Sequence, residues 1–299
     1  MDTATQPAKE NAQALFALDV PERIVAFELS SGAVVRHILR RPSDDDARDF
    51  FRAAQLAADQ QSAGEKVDAL KPRRDLYARL ASNAEGYPPV RGHAGKLCEF
   101  MPAPVEIDGK KVERHWWDLL PLAHRLRAVD QLQWCTLTPG GAVEIDPDFE
   151  VVSLEARGYA DGHMLNFSGL VHRFEPLTEE DRTKFEHDCG RSQVVGGSRS
   201  GLTLRVPRSN VMLRLYDRKI RAVEGYQVNG NQLVTPPIGS MHLAADTDEI
   251  RHWMDPFHKV SAIAPLVSEW AFDLKMPGED GPSEQELLAK MAEAEKAEG

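Results

Sequence analysis

The residues best suited to chemistry in this chain occur twice. Arg114-His115-Trp116-Trp117-Asp118 returns as Arg251-His252-Trp253-Met254-Asp255. Each phrase sets a histidine three residues before an aspartate, and on a helix residues three apart share a face. An imidazole beside a carboxylate suits general base catalysis or metal binding. His115, Asp118, His252 and Asp255 are therefore the candidate ligand or metal residues. Two ligands do not complete a site, because a structural zinc takes four and a catalytic one three. The competing reading makes Trp116 and Trp253 core anchors at a helix entry. His and Asp then satisfy helix-end hydrogen bonds, and this reading is preferred. His124 and His258 sit at matching helical positions and read as partly buried. Together with Trp116, Trp117 and Trp253 they form the candidate interface set.

Other constellations are weaker. His187, Asp188 and Cys189 lie close together, but the corresponding stretch of the first copy is Arg52-Ala53-Ala54. Arg191, Arg199 and Arg205 surround glycines 196, 197 and 201 and are the phosphate candidates. A phosphate cradle needs a strand before it and a helix after it. Pro207 stands where that helix should begin, and the chain contains no GxxxxGK[ST], GxSxG, HExxH, EF-hand or kinase signature. No catalytic residue, metal or cofactor is assigned.

The repetition extends beyond one phrase. Leu76-Tyr77-Ala78-Arg79 running to Glu85-Gly86-Tyr87 returns as Leu215-Tyr216-Asp217-Arg218 running to Glu224-Gly225-Tyr226. His37 to Phe50 is echoed by His172 to Phe185. The three offsets are 137, 139 and 135 residues and the order is preserved. Such a period is too long for a solenoid unit and is the size of a domain. The expectation is an internal duplication. What the copies share reads as aromatic, apolar and turn chemistry rather than a polar constellation.

Composition narrows the classes. The 299 residues are 42% hydrophobic and 28% charged, a balance that suits a soluble globular chain of two domains. No run of about 18 apolar residues is present to span a membrane. The N-terminus lacks the basic start and apolar core of a secretory signal. Cys98, Cys135 and Cys189 form no CxxC pair, so they read as free thiols in a reducing compartment. Of the net charge of −11, residues 279–299 supply −5 through seven acids against two lysines. The body is mildly acidic and has no basic footprint for specific nucleic-acid binding.

Elements can be placed on this frame. Ile24 to Leu39 alternates around Ser30-Ser31-Gly32, which predicts a β-hairpin. Ser43 caps a helix whose first turn holds Asp44, Asp45 and Asp46, and Thr178 repeats the arrangement before Glu179, Glu180 and Asp181. A second helix carries Leu76, Tyr77 and Leu80, with Gly86 as its terminator and Gly225 as the terminator of the helix over 211–223. Asp108-Gly109 predicts another hairpin. Residues 116–132 read as a third helix, 149–174 as alternating strands, 255–270 as the last helix of the second copy and 190–201 as a loop. Ser283-x-x-Glu286 opens a C-terminal helix through a capping box.

Phe27-Glu28-Leu29-Ser30-Ser31-Gly32-Ala33-Val34, leading to Arg40-Arg41-Pro42-Ser43-Asp44, resembles the pattern of tailed-phage tail assembly chaperones and related small tail proteins. In them a strand pair around a Gly turn precedes an Arg-Pro-Thr/Ser-acid helix start. The likeness covers about residues 27–50. It implies a role in phage or phage-derived assembly and implies no catalytic residues.

The fold expected is α+β, with two pseudo-symmetric subdomains, each a hairpin-helix-helix-hairpin-helix unit. The divisions are a flexible segment over 1–20, a first repeat over 21–136, a second over 137–275 and an acidic tail over 276–299. The copies should pack through the helices starting at Trp116 and Trp253. The leading function is non-enzymatic: a structural or assembly protein of a phage-like particle or other large complex, with protein partners, in the cytoplasm or on the virion. The alternatives are a metal- or ligand-dependent enzyme using the repeated Arg-His-Trp-x-Asp phrase, and a small-molecule binding module with its pocket between the halves.

Overall fold

The computed structural model describes residues 15–87, 105–107, 110–112, 115–138, 144–145, 148–160, 162–190, 192–194, 203–233 and 243–268. The described residues up to Leu266 belong to one compact unit, and Val267 and Ser268 begin a second. The chain is α+β.

Alternation decides the first elements. After a short strand β1 (Phe16–Ala17), β2 (Glu22–Glu28) and β3 (Val34–Arg40) form the expected hairpin. Val25, Phe27, Val35, His37 and Leu39 bury one face of it. Ser43 then starts α1 (Asp44–Ser62) with a capping box: its hydroxyl accepts from Asp46 N–H, and Asp46 accepts from Ser43 N–H. Burial alone would raise the Asp46 carboxyl. Hydrogen bonds from Ser43 and Arg40 instead hold it below its ordinary value. α2 (Lys71–Leu80) buries Leu76, Tyr77 and Leu80. Next, β4 (Ala81–Glu85) pairs antiparallel with β3. The hairpin of β5 (Val105–Ile107) and β6 (Lys110–Val112) follows, its Asp108-Gly109 turn lying outside the described residues. A 3-10 turn (Trp116–Leu119) precedes α3 (Leu122–Leu132).

The second half reuses this order with additions. β7 (Cys135–Leu137) and β8 (Glu144–Ile145) both pair with β9 (Glu150–Ala160), which pairs with β10 (His163–Phe174). Then come α4 (Glu179–Gly190), a hairpin of β11 (Ser192–Val194) and β12 (Thr203–Arg205), α5 (Arg208–Lys219) and β13 (Ile220–Glu224). β13 pairs with β10 as β4 pairs with β3, and both pairings carry a bulge at the same place, Ile38/Leu39 and Arg173/Phe174. β14 (Tyr226–Val228), β15 (Asn231–Gln232), α6 (Leu243–Trp253) and α7 (Pro256–Ser268) complete the half. Thr178 and Asp181 repeat the Ser43–Asp46 contacts. Lys219 sits 2.6 Å from Asp181, where Arg40 serves Asp46.

Several expectations are corrected. The segment expected to be flexible contributes β1, which runs parallel to β14, and Phe16 and Leu18 are buried. Pro121 splits the expected helix over 116–132, because proline has no N–H to continue it. Residues 192–194, read as loop, are paired strand, and α6 was not foreseen. The helix over 211–223 starts earlier, at Arg208, and ends at Lys219. Neither Gly86 nor Gly225 ends a helix. Each follows a strand, at φ +79 and +83. A Cβ on Gly86 would lie 2.2 Å from Val34 O, and one on Gly225 would lie 2.8 Å from Gly169 O. These glycines let the chain turn against the neighbouring strand before the tyrosine that follows. Gly86→Ala is expected to destabilise by about 2 kcal/mol or more, from the left-handed backbone alone plus displacement of β3. Chemical denaturation of the variant measures it.

The halves meet through α1 against α5, β2 against β9 and β10, and α3 against β9. α3 packs mainly on α2 and β2 of its own half and also touches β9. The core of the first half takes in Leu213 and Phe257 from the second. Phe257 meets Phe50 and Phe51 edge-on at 6.2 and 5.9 Å. Lys259, 1% exposed, bridges the halves: its Nζ lies 3.0 Å from Asp44 Oδ2, 3.0 Å from Asp217 Oδ1 and 2.8 Å from Arg251 O.

Candidate functional site

The repeated phrases converge on a pair of buried polar networks. In the second half, His172 on β10 faces Tyr216 from α5 through Nδ1 at 2.9 Å and Tyr226 from β14 through Nε2 at 2.8 Å. Tyr226 reaches on to His258 Nδ1 of α7 at 3.3 Å. In the first half, His37 on β3 faces Tyr77 of α2 through Nδ1 at 2.7 Å and Tyr87 through Nε2 at 2.7 Å. Tyr87 reaches His124 Nδ1 of α3 at 2.9 Å. Every member of one network has its counterpart in the other. The two halves thus share a polar constellation, contrary to the reading from sequence.

Each chain of groups can be satisfied with neutral imidazoles. In the order Tyr216, His172, Tyr226, His258, each hydroxyl donates to the next ring and the His172 Nε2–H donates to Tyr226, so every proton shared between neighbours has an acceptor. The surroundings enforce that neutrality. Burial, and secondarily His124, lowers the His37 pKa to about 4. Burial, and secondarily Arg23, lowers that of His258 to about 3. Burial and then His258 hold His172 well below its ordinary value. Burial likewise raises the phenols of Tyr77, Tyr87, Tyr216 and Tyr226. Aromatic rings pack the networks: Phe27 stacks on His37 at 5.3 Å, Phe174 on His172 at 6.3 Å, and Phe16 tilts on His258 at 4.9 Å.

This has a consequence for pH. Below 6.5 the unfolded chain protonates these histidines while the folded chain does not, so stability must fall as acid is added. For His37 the window runs from 6.5 down to about 4, worth on the order of 3 kcal/mol at its lower end. Asp217 and Asp255, which burial raises above the ordinary carboxyl range, act in the opposite sense and return part of the loss. Urea unfolding at pH 7, 6 and 5 is expected to give steadily lower free energies; equal values at all three would refute the buried neutral histidines.

The other sequence candidates fall elsewhere. His115 is exposed and stacks on Trp117 at 4.4 Å. Asp118 accepts from His115 N–H and pairs with Arg125, closing the 3-10 turn. Trp116 and Trp117 are half-buried against the first core. His252 is exposed and edge-on to Trp253, over which Arg41 stacks at 4.9 Å. Asp255 is buried and accepts from Phe257 N–H at the start of α7. His187 and Asp188 lie 3.7 Å apart on α4, and Arg214 pairs with Asp188. Burial pushes the Cys189 thiol up to about 11 and that of Cys135 up to about 12. Cys98, Arg191, Arg199 and residues 276–299 lie outside the described residues, as does the Arg205 side chain. Among the described residues no group of three or more His, Cys, Asp or Glu is arranged to hold a metal, and no helix is long and apolar enough to cross a membrane.

A cleft of about 150 Å³ opens between the halves. β2 forms one wall, the outer ends of β9 and β10 the other, and Phe16, Asp255 and His258 also line it. Gly158 makes room for it: a Cβ there would come within 2.9 Å of the Phe167 ring and 3.2 Å of Phe16. Sequence reasoning missed Arg23 and Arg157 in this cleft, since only packing of the halves brings them together. Comparison of the chain with family models, with curated proteins and with solved structures returned no match.

Proposed function

We propose that this chain is a non-enzymatic structural or assembly protein of a phage-like particle or other large complex, built from two fused modules of common origin. The observation that carries the reading is the use of the histidines and tyrosines common to both halves. His37, His172, Tyr77, Tyr216 and Tyr226 are all 0% exposed. Groups so enclosed position helices and strands; they cannot meet a substrate. Of the repeated acids, Asp118 and Asp255 cap helices and Glu85 and Glu224 pair with arginines of the neighbouring strand. Duplication of such a module keeps its stabilising contacts and converts an interface between copies into an internal one. Partners of the fused protein are then other proteins of the assembly. The half-exposed Trp116 and Trp117 are residues of the type enriched in protein interfaces.

The test is co-expression of the full chain with the products of its neighbouring genes, followed by size-exclusion chromatography with light scattering. The expected result is a complex of fixed stoichiometry with a tail, capsid or baseplate component. A chain that stays a 33.3 kDa monomer with every neighbour contradicts the reading. So does stoichiometric zinc, iron or manganese in the purified protein.

A further inference from the structure

The cleft between the halves is built unlike a gap left by imperfect packing. Its walls are apolar where Phe16, Ile24, Leu132, Met164 and Phe167 line it. Four ionised side chains also line it, Glu22, Arg23, Arg157 and Asp255, and their charges cancel. Two of the four are already engaged. Arg157 donates to Gln131 at 2.9 Å and stacks over Trp134 at 4.3 Å. Glu22 is exposed and accepts from Ser82 at 2.6 Å.

Arg23 and Asp255 remain. Arg23 donates through Nη1 to Ala17 O at 2.7 Å and through Nη2 to Leu18 O at 3.5 Å and lies over the Phe16 ring at 5.1 Å, while its buried Nε has no hydrogen-bond partner among the described residues. Asp255, 3% exposed, uses Oδ1 to cap α7. No described ion pair of 4.0 Å or less includes either side chain. Two opposite charges thus line one cleft without closing on each other. They attract each other at longer range, and a ligand that offers each an opposite charge at hydrogen-bond distance is favoured over one that offers neither. A net anion would meet Asp255, and a net cation would meet Arg23. A zwitterion meets both with the right sign. The apolar room is on the scale of a cavity that accepts a benzene-sized body.

We propose that this cleft binds a free amino acid with an apolar side chain, its carboxylate toward Arg23, its ammonium toward Asp255 and its side chain against Phe16, Met164 and Phe167. The site does not depend on the assembly role. Its test is calorimetric titration of the intact chain with L-phenylalanine and L-leucine, and with 3-phenylpropionate and phenethylamine as analogues that each lack one charged group. The expected result is saturable binding of at least one of the two amino acids, with the one-headed analogues weaker by about tenfold or more. Arg23→Gln should weaken binding by a similar factor. Because Arg23 also holds Ala17, Ile24→Trp serves as a second variant that fills the cleft and leaves both charges in place; it should abolish binding in a protein that still melts cooperatively. Absence of saturable heat from either amino acid up to about 10 mM overturns the proposal. Equal affinity for a one-headed analogue, or unchanged binding by folded Ile24→Trp, does the same.

Discussion

Replacing His172 with leucine is expected to lower the unfolding free energy by about 4 kcal/mol, the larger loss of any single exchange in either network. Leucine fills most of the space of the ring but accepts and donates nothing. Tyr216, 0% exposed, is left with its hydroxyl facing an apolar group, and Tyr226 keeps only its 3.3 Å bond to His258. A buried unsatisfied group costs about 1–3 kcal/mol, and the loss of the second ring bond adds to it. His37→Leu makes the same exchange in the first half, yet about 2 kcal/mol is expected there. Tyr87 and His124 are only half-buried and can turn to solvent. The difference between the two variants is the informative quantity, and urea denaturation at pH 7 gives it. Adding Tyr216→Phe to His172→Leu should restore part of the loss, because it removes the orphaned hydroxyl, whereas Tyr226→Phe should not, because it leaves His258 Nδ1 without its donor. Equal losses at His37 and His172, or no recovery on adding Tyr216→Phe, would show that the networks do not act through buried hydrogen bonding.

The second large effect belongs to Lys259. Its ammonium touches an acid from each half, Asp44 of α1 and Asp217 of α5. Lys259→Met keeps the stem and removes the charge, leaving two carboxylates and the Arg251 carbonyl facing a thioether. Removing one partner of a buried ion pair costs about 3–5 kcal/mol. The side chains of Asp44 and Asp217 are 29% and 30% exposed, so solvent screens them and the lower end, about 3 kcal/mol, is expected. Asp44→Asn and Asp217→Asn should each cost less, since the other acid still neutralises the lysine. If Lys259→Met is neutral and both asparagine variants are neutral, the two halves are held by apolar contact alone.

Much of this architecture was legible because it depends on local rules. The β2–β3 hairpin followed from alternation, and the starts of α1 and α4 from a capping hydroxyl followed by three acids in the first turn. The members of both networks also stood in the repeated phrases, His37 with His172, Tyr77 with Tyr216, Tyr87 with Tyr226 and His124 with His258. Their role was hidden by reading Glu-Gly-Tyr as a helix ending. Ala81–Glu85 has no apolar alternation of its own, and it is a strand because β3 offers it an edge. That pairing carries Tyr87 under His37. Pairings between residues far apart in sequence were illegible for the same reason. Phe16 pairs with Tyr226, and Lys259 with Asp44, across more than two hundred positions. Histidine and tyrosine spacing could have signalled the networks, had the shared polar residues been weighed together rather than phrase by phrase.

The account rests on imidazoles kept neutral between tyrosine hydroxyls in both halves, and nitrogen-15 NMR of the histidine rings over pH 7 to 4 tests that most directly. His37, His172 and His258 are predicted to show the shifts of neutral rings at pH 5, each with one protonated and one bare nitrogen. Titration of His172 or His258 near pH 6.5 would contradict the central claim.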